Sequence, residues 1–327
     1  MSVVAGRTGV STVGRDKRTR FRTDIQALRA LAIAVVVLNH LWPTRLTGGY
    51  VGVDVFFVIS GYLITAHLLG EFARTGSIRL GRFYARRIRR LLPAALFVLA
   101  VSAVLVAIFL PYPRWLRNAA EIAASAGYVE NWALAALSVD YSAANAAASV
   151  AQHYWSLSVE EQFYILWPLL ILAAALGARR FLRSVNAGRI LVVVVSVVVG
   201  ASLFASVLFT AAAPSAAYFA TFTRAWEFGV GALIALAPTA WRLRRRIANM
   251  LAIAGFIAIL WSAFVYDDST AFPGSAALIP VLGTAAIIAA GTRNDDLWHS
   301  AITARRPIQW LGNVSYSLYL WHWPESA

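Results

Sequence analysis

The chain has 327 residues, of which 60% are hydrophobic and only 13% charged, with a formal net charge of +14. A soluble globular chain is nearer ~25% charged, and several apolar runs here exceed the ~20 residues that cross a ~30 Å hydrocarbon core. A soluble domain is thereby excluded, and an all-α polytopic transmembrane helical bundle is expected; the short alternating segments of a membrane barrel are absent.

Residues 1–22 are basic and rich in Gly, Ser and Thr, and are expected to be a disordered tail. They lack the apolar core and cleavage site of a signal peptide. Residues 23–327 are expected to form one membrane domain. Its first span, 25–43, reads IQALRALAIAVVVLNHLWP, and Thr23 with Gln26 has capping-box spacing. Arg29 and His40 stand in it with ten residues between them. Eleven steps of ~100° are about three turns, so both side chains share one face, roughly 16 Å apart. Ionisable groups at that depth are costly and are functional candidates.

The second span, 50–70, carries Asp54 near the same end as His40. The basic stretch SIRLGRFYARRIRRLLP then reads as a juxtamembrane helix feeding a third span, 91–111, with Pro93 just inside it. The long stretch 111–159 is expected to form short interfacial or re-entrant helices. Further spans are placed at 160–178, 190–212, 217–237, 247–265, 275–291 and 308–324, about nine in all. Glu160 and Glu161 open the fourth and are out of keeping with lipid exposure. In the sixth, Arg224 and Glu227 are three apart and can pair, while Gly229 and Gly231 allow close helix approach. The last span holds Asn313, several hydroxyls and His322.

All but five of the 29 lysines and arginines fall on one side of this arrangement; the exceptions are Arg29, Arg45, Arg114, Arg117 and Arg224. The positive-inside rule then places the N-terminus in the cytoplasm. The basic charge is topological, and no nucleic-acid partner is expected. With no cysteine, thiol catalysis and disulfides are excluded. No cluster of His, Asp or Glu has metal-ligand spacing, so no metal site is expected.

An imidazole such as His40 suits a general base toward a hydroxyl, or a nucleophile that carries an acyl group transiently. Arg29 can bind phosphate or polarise a carbonyl, or it can simply snorkel to the surface. Asp54 can hold the His40 ring through its second N–H or serve helix packing. Glu160 and Glu161 can relay protons or pair with arginines such as Arg114 or Arg224. Arg224–Glu227 reads first as a buried structural pair.

Six segments, in order, resemble the bacterial acyltransferase-3 family of integral membrane O-acyltransferases. They are Arg29-x10-His40, GVDVFFVISGYLIT at 52–65, FYARRIRRLLP at 83–93, HYWSLSVEEQFYILWP at 153–168, RAWEFGVGAL at 224–233 and SYSLYLWHWP at 315–324. The resemblance implies about ten helices in a bacterial cytoplasmic membrane. It also implies an acyl-CoA co-substrate on the cytoplasmic side, no bound cofactor, and a hydroxyl acceptor such as an envelope glycan reached from outside. It assigns His40 to catalysis and favours Glu161 beside it; Asp54, as the candidate holder of the His40 ring, is grouped with them as catalytic. Arg29, Arg224 and an Arg-x-x-Arg pair go to the donor; that pattern is met by Arg86/Arg89, preferred here, and by Arg87/Arg90. The Ser-x-x-Glu pattern falls on Ser158 and Glu161. Family members continue with a further span and often an SGNH-type domain, so this chain is expected to be shortened, with an SGNH-type protein as a separate partner. The competing reading is a transporter or flippase of a lipid-linked sugar or acyl group, which predicts inverted repeats with broken helices. A lipid-phosphate glycosyltransferase would need an acidic pair in the first outer loop, and Thr44–Tyr50 holds no acid.

Overall fold

The computed structural model describes residues 22–138, 148–181, 187–238, 243–292 and 297–323, and among these the chain is helical with no strand. Apart from Arg22, the expected tail lies outside the described residues. The chain opens with α1 (Thr23–Leu41), α2 (Gly52–Thr75) and α3 (Leu80–Phe109), followed by the short α4 (Trp115–Ala126) and α5 (Glu130–Leu137). Next come α6 (Tyr154–Phe181), α7 (Ala187–Ala212), α8 (Pro214–Phe219) and α9 (Thr221–Leu236). The described chain closes with α10 (Arg245–Val265), α11 (Leu278–Gly291), α12 (Ser300–Thr303) and α13 (Arg306–Trp321).

Among the described residues six helices are long and apolar enough to cross a membrane: α1, α2, α3, α6, α7 and α10. The other three expected spans are shorter, α9 and α13 having 16 residues and α11 having 14. At ~1.5 Å per residue these reach only about 21–24 Å. They pack against longer helices instead: α9 on α2 and α7, α11 on α10, and α13 on α1. The spans differ in the same sense. The apolar window of α2 is 67% buried, whereas that of α7 is 22% buried and α3 28%. Thus α2 lies at the centre, and α3 and α7 show Phe97, Ile108, Val197 and Phe204 to the outside, where a bilayer receives them.

Close contact between α2 and α9 depends on glycine. A Cβ on Gly61 would overlap the Phe228 carbonyl, and one on Gly231 would overlap the Val58 carbonyl. Gly229, the other glycine of that stretch, faces Val199 of α7. Gly312 does the same work for α13, lying against the Gln26 backbone of α1. With these helices drawn in, Phe57 stacks on Phe228 at 4.5 Å, Phe228 on Phe163 at 4.2 Å, and Phe163 on Trp167 at 4.7 Å between ring centroids. Such offset aromatic contacts add to the area they bury.

Two local expectations are corrected. Helix α1 does begin at Thr23, but no side chain caps it. Gln26 donates instead to Asn313 Oδ1 at 2.7 Å, because α13 lies alongside. Arg22 and Asp24 pair with each other at 2.6 Å. Pro93 does not open a new helix; α3 runs through it, so the basic stretch and the apolar span form one rod of 30 residues. At about 45 Å that rod is longer than a hydrocarbon core, and its arginine end extends beyond it.

Candidate active site

Arg29 and His40 of α1 both face α13. Arg29 Nε donates to Ser315 Oγ at 3.2 Å, and His40 Nδ1 lies 3.2 Å from His322 Nε2. The two helices run parallel, with Gln309 reaching the Thr23 carbonyl at the opposite end from His322. The shared face expected from helical spacing is therefore the α1–α13 seam.

At the Arg29 end of that seam lies a cavity of about 620 Å³. Arg29 from α1 and Arg86, Arg87 and Arg90 from α3 line it, with Glu160 of α6 as the carboxylate in its wall. Glu160 accepts a hydrogen bond from Ser60, whose Oγ accepts one from Tyr164 at 2.9 Å. The Arg87 guanidinium sits 3.0 Å from the centroid of the Tyr164 ring, a cation–π contact. Arg86 donates to His67 Nε2 at 3.1 Å. Four guanidiniums against one carboxylate leave this cavity strongly cationic, and forked donors of that kind match phosphate oxygens.

A second, narrower cavity of about 50 Å³ shares Phe56 and Glu160 with the first. Phe57, Leu157, Tyr316, Tyr319 and the Ser156 and Ser315 hydroxyls complete its wall with Val53. Its Tyr319 stands on α13, one helical turn before His322. The Tyr319 hydroxyl donates to the His153 carbonyl at 3.0 Å and lies 2.5 Å from Ser156 Oγ. One turn on, the Tyr319 carbonyl is 2.7 Å from His322 Nδ1. His40 is half-buried there, with the Trp323 ring edge-on at 4.5 Å. His153 packs 5.5 Å from His322, with Nε2 3.2 Å from the Leu320 carbonyl. Among the described residues no group of three or more His, Cys, Asp or Glu side chains is arranged to hold a metal ion.

Several residues singled out in the sequence lie elsewhere. Asp54 does not reach His40. It is held by Arg224, whose Nη1 lies 3.0 Å from Asp54 Oδ1 and 3.1 Å from Glu227 Oε1. The rest of that guanidinium is enclosed as well: Nε donates to the Tyr218 carbonyl at 3.1 Å, and the rings of Tyr218, Phe272 and Trp155 surround it at 4.9, 5.0 and 5.6 Å. Arg224 is thus the centre of a closed ion cluster outside both cavities, as its pairing with Glu227 foretold. Ser158 is buried and donates back along its own helix to the Tyr154 carbonyl at 3.1 Å. Glu161 is half-buried and belongs to neither cavity wall; its neighbour Glu160 belongs to both. Arg89 is exposed, with Nε on the Ala85 carbonyl at 3.1 Å, so Arg87 and Arg90 are the Arg-x-x-Arg pair that lines the cavity, beside Arg86.

Helical periodicity explains these displacements. Residues one apart on a helix point ~100° apart, so a choice between Glu160 and Glu161, or between two overlapping arginine pairs, turns on which face meets a neighbour. Sequence reasoning also passed over His153 and His67, and it saw His322 only as part of a motif. The signal was present in the final span, where His322 stands at the same end as His40, but nothing local shows that α13 lies beside α1.

A model of the acyltransferase-3 family, described as an acyltransferase domain, matches residues 22–324. The chain belongs to that family of membrane proteins. It is 34% identical over 323 residues to the peptidoglycan O-acetyltransferase OatA of Listeria monocytogenes, covering 93% of this chain and 49% of that protein. It is 30% identical to the putative peptidoglycan O-acetyltransferase YrhL of Bacillus subtilis, again over 93% of this chain and 48% of the relative. With the O-acetyltransferase OatA of Staphylococcus aureus the identity is 33%, over 93% and 50%. The chain therefore spans about half the length of these relatives. No solved structure matches it.

Proposed function

We propose that this chain is a membrane O-acyltransferase that moves a short acyl group, acetyl by analogy with its relatives' names, from acyl-CoA to a hydroxyl of an envelope glycan such as peptidoglycan. The observation that carries the reading is the joining of two unlike environments along the α1–α13 seam. A cationic cavity lies at the Arg29 end, a smaller one shares Phe56 and Glu160 with it, and His40 meets His322 at the other end of the seam. Acyl-CoA is an anionic diphosphate with a slim acyl-bearing thiol arm; its phosphates suit the cationic cavity, and the arm would run along the seam toward His40. Arg29, Arg86, Arg87 and Arg90 would hold its phosphates. The excess of basic residues at that end supports a cytoplasmic donor and an N-terminus on the same side.

At the other end, the acceptor hydroxyl gives its proton to His40 as its oxygen attacks the thioester carbonyl carbon. A carbon–oxygen bond forms, the carbon–sulfur bond breaks, and the departing CoA sulfur recovers the proton. General-base catalysis of this kind contributes about 10²–10⁴-fold. Membranes holding the full chain, incubated with radiolabelled acetyl-CoA and peptidoglycan strands, are expected to yield alkali-labile label on the glycan. The His40→Ala protein should remain folded in the membrane and transfer none. Undiminished transfer by that variant would sink the assignment, and movement of a lipid-linked sugar across sealed vesicles without ester formation would favour a transporter.

A further inference from the structure

His322 follows directly on α13, and its ring is held from one side by its own helix. Its Nδ1 lies 2.7 Å from the Tyr319 carbonyl. A carbonyl oxygen only accepts, so Nδ1 carries the proton, and in a neutral imidazole Nε2 then carries the lone pair. That lone pair faces His40 Nδ1 at 3.2 Å. Two lone pairs at this distance would repel, so His40 must present Nδ1–H. Its other nitrogen, Nε2, is thereby left with a lone pair. The carboxylate that sequence spacing placed nearest, Asp54, is held by Arg224; the Val36 carbonyl, one turn back on α1, is a second acceptor beside the His40 ring.

We propose that His322 is the positioning residue for His40: it accepts the Nδ1–H, fixes the ring's tautomer and orientation, and leaves Nε2 as the basic nitrogen. The inference rests on the acyltransferase reading above for its catalytic meaning, although the histidine pair itself stands on geometry alone. Its chemistry follows from where charge appears. When Nε2 takes a proton from the acceptor hydroxyl, positive charge spreads to Nδ1–H and strengthens the bond to His322 Nε2. The Tyr319 carbonyl at the far side of the His322 ring polarises the same chain of bonds. This stabilisation grows only as the proton is transferred, so it should act on kcat and leave donor binding alone. A neutral imidazole here plays the orienting part that a carboxylate plays in the serine-protease triad.

The proposal is tested with the full chain in membranes, using acetyl-CoA and peptidoglycan strands, and His322→Leu beside His322→Gln. Leucine removes the acceptor. Glutamine returns a carbonyl oxygen near the position of Nε2. Loss of an orienting partner typically costs between about 10- and 10⁴-fold, and His322→Leu is expected to lower kcat about 100-fold with KM for acetyl-CoA unchanged within about twofold. His322→Gln should recover most of that loss. A His322→Leu protein with kcat within about twofold of wild type would overturn the proposal, as would equal defects in two folded variants.

A second measurement does not depend on turnover. In ¹⁵N-histidine-labelled protein in lipid, with His40→Asn used to assign the signal, His40 should show a protonated Nδ1 and a bare Nε2. His322→Leu should convert this to a tautomer mixture. A wild-type His40 protonated at Nε2 would overturn the pairing. If wild type transfers no acetyl group at all, the acyltransferase reading fails, and the tautomer measurement still decides the pair.

Discussion

The bundle holds two groups of internal charge that are built in opposite ways. Around Arg224 the charges close on one another, with Asp54 and Glu227 each within 3.1 Å of the guanidinium and three aromatic rings around it. Arg224 shows only 1% of its surface. Around Arg29 and the arginines of α3, four cations look into an open cavity with one carboxylate among them. Taking a charge out of water costs several kcal/mol unless partners replace the hydration. The first group meets most of that cost internally, with Asp54 Oδ2 and Glu227 Oε2 as buried oxygens that have no hydrogen-bond partner among the described residues. The second leaves guanidinium donors turned toward empty volume, which is the arrangement an anionic ligand completes. Both arginine sets occur in motifs of similar strength in the sequence, yet only one faces a cavity.

Substitutions that remove the same charge from each group should break in different ways. Arg224→Met strands two buried carboxyls, and breaking a buried pair costs about 3–5 kcal/mol. Reduced yield and a lower thermal midpoint of the detergent-solubilised protein are expected, and a variant as stable as wild type would show that the cluster does not support the fold. Arg87→Met should leave stability nearly unchanged. It should raise KM for acetyl-CoA about 10- to 100-fold, the worth of one charged hydrogen bond. An unchanged KM, measured by titrating the donor, would detach the cavity from donor binding.

The smaller cavity offers a finer distinction. Phe56 stands in the walls of both spaces, and one methylene in an apolar pocket is worth about 10- to 200-fold in selectivity. Phe56→Ala should raise kcat/KM for butyryl-CoA relative to acetyl-CoA about tenfold, read from paired competition assays. An unaltered ratio would mean that the acyl group takes another route.

The smallest effect concerns a buried acid outside the spans. Glu130 of α5 is fully buried, and burial first, then the nearby charge of Glu121, pushes its carboxyl up to about 10. Unfolded, the same group ionises near an ordinary ~4.3. The unfolded chain therefore releases this proton earlier, and stability present below that value is lost as the pH rises toward 10. Glu130→Gln should raise the thermal midpoint by a few degrees at pH 8, with little change at pH 4. An equal shift at both pH values would point to packing as the cause.

Much of the fold is legible in the chain because the bilayer imposes a length and a polarity on its helices. The runs that became α1, α2, α3, α6, α7 and α10 announce themselves by apolar length alone. The period of 3.6 residues similarly puts Arg29 and His40 on one face before any neighbour is known. Helices α9, α11 and α13 were read as full spans because apolar composition is the same for a helix meeting lipid and one meeting protein; Gly61, Gly231 and Gly312 mark the close contacts, but glycine does not name its partner.

Those partners were decided by tertiary structure. A helical period says which residues share a face, and only packing says what that face meets. Once α13 lay along α1, Arg29 acquired Ser315 and His40 acquired His322. Once α9 crossed α2, Arg224 claimed Asp54. The rotation of α3 and α6 turned Arg87, Arg90 and Glu160 to the cavity, leaving Arg89 and Glu161 outside its wall. The sequence by itself determined a membrane-embedded helical bundle, its arginine-rich end and an imidazole on the face of its first helix. The tertiary structure alone decided which arginines line one space and which side chain stands beside that imidazole, because both depend on contacts between residues far apart in the chain.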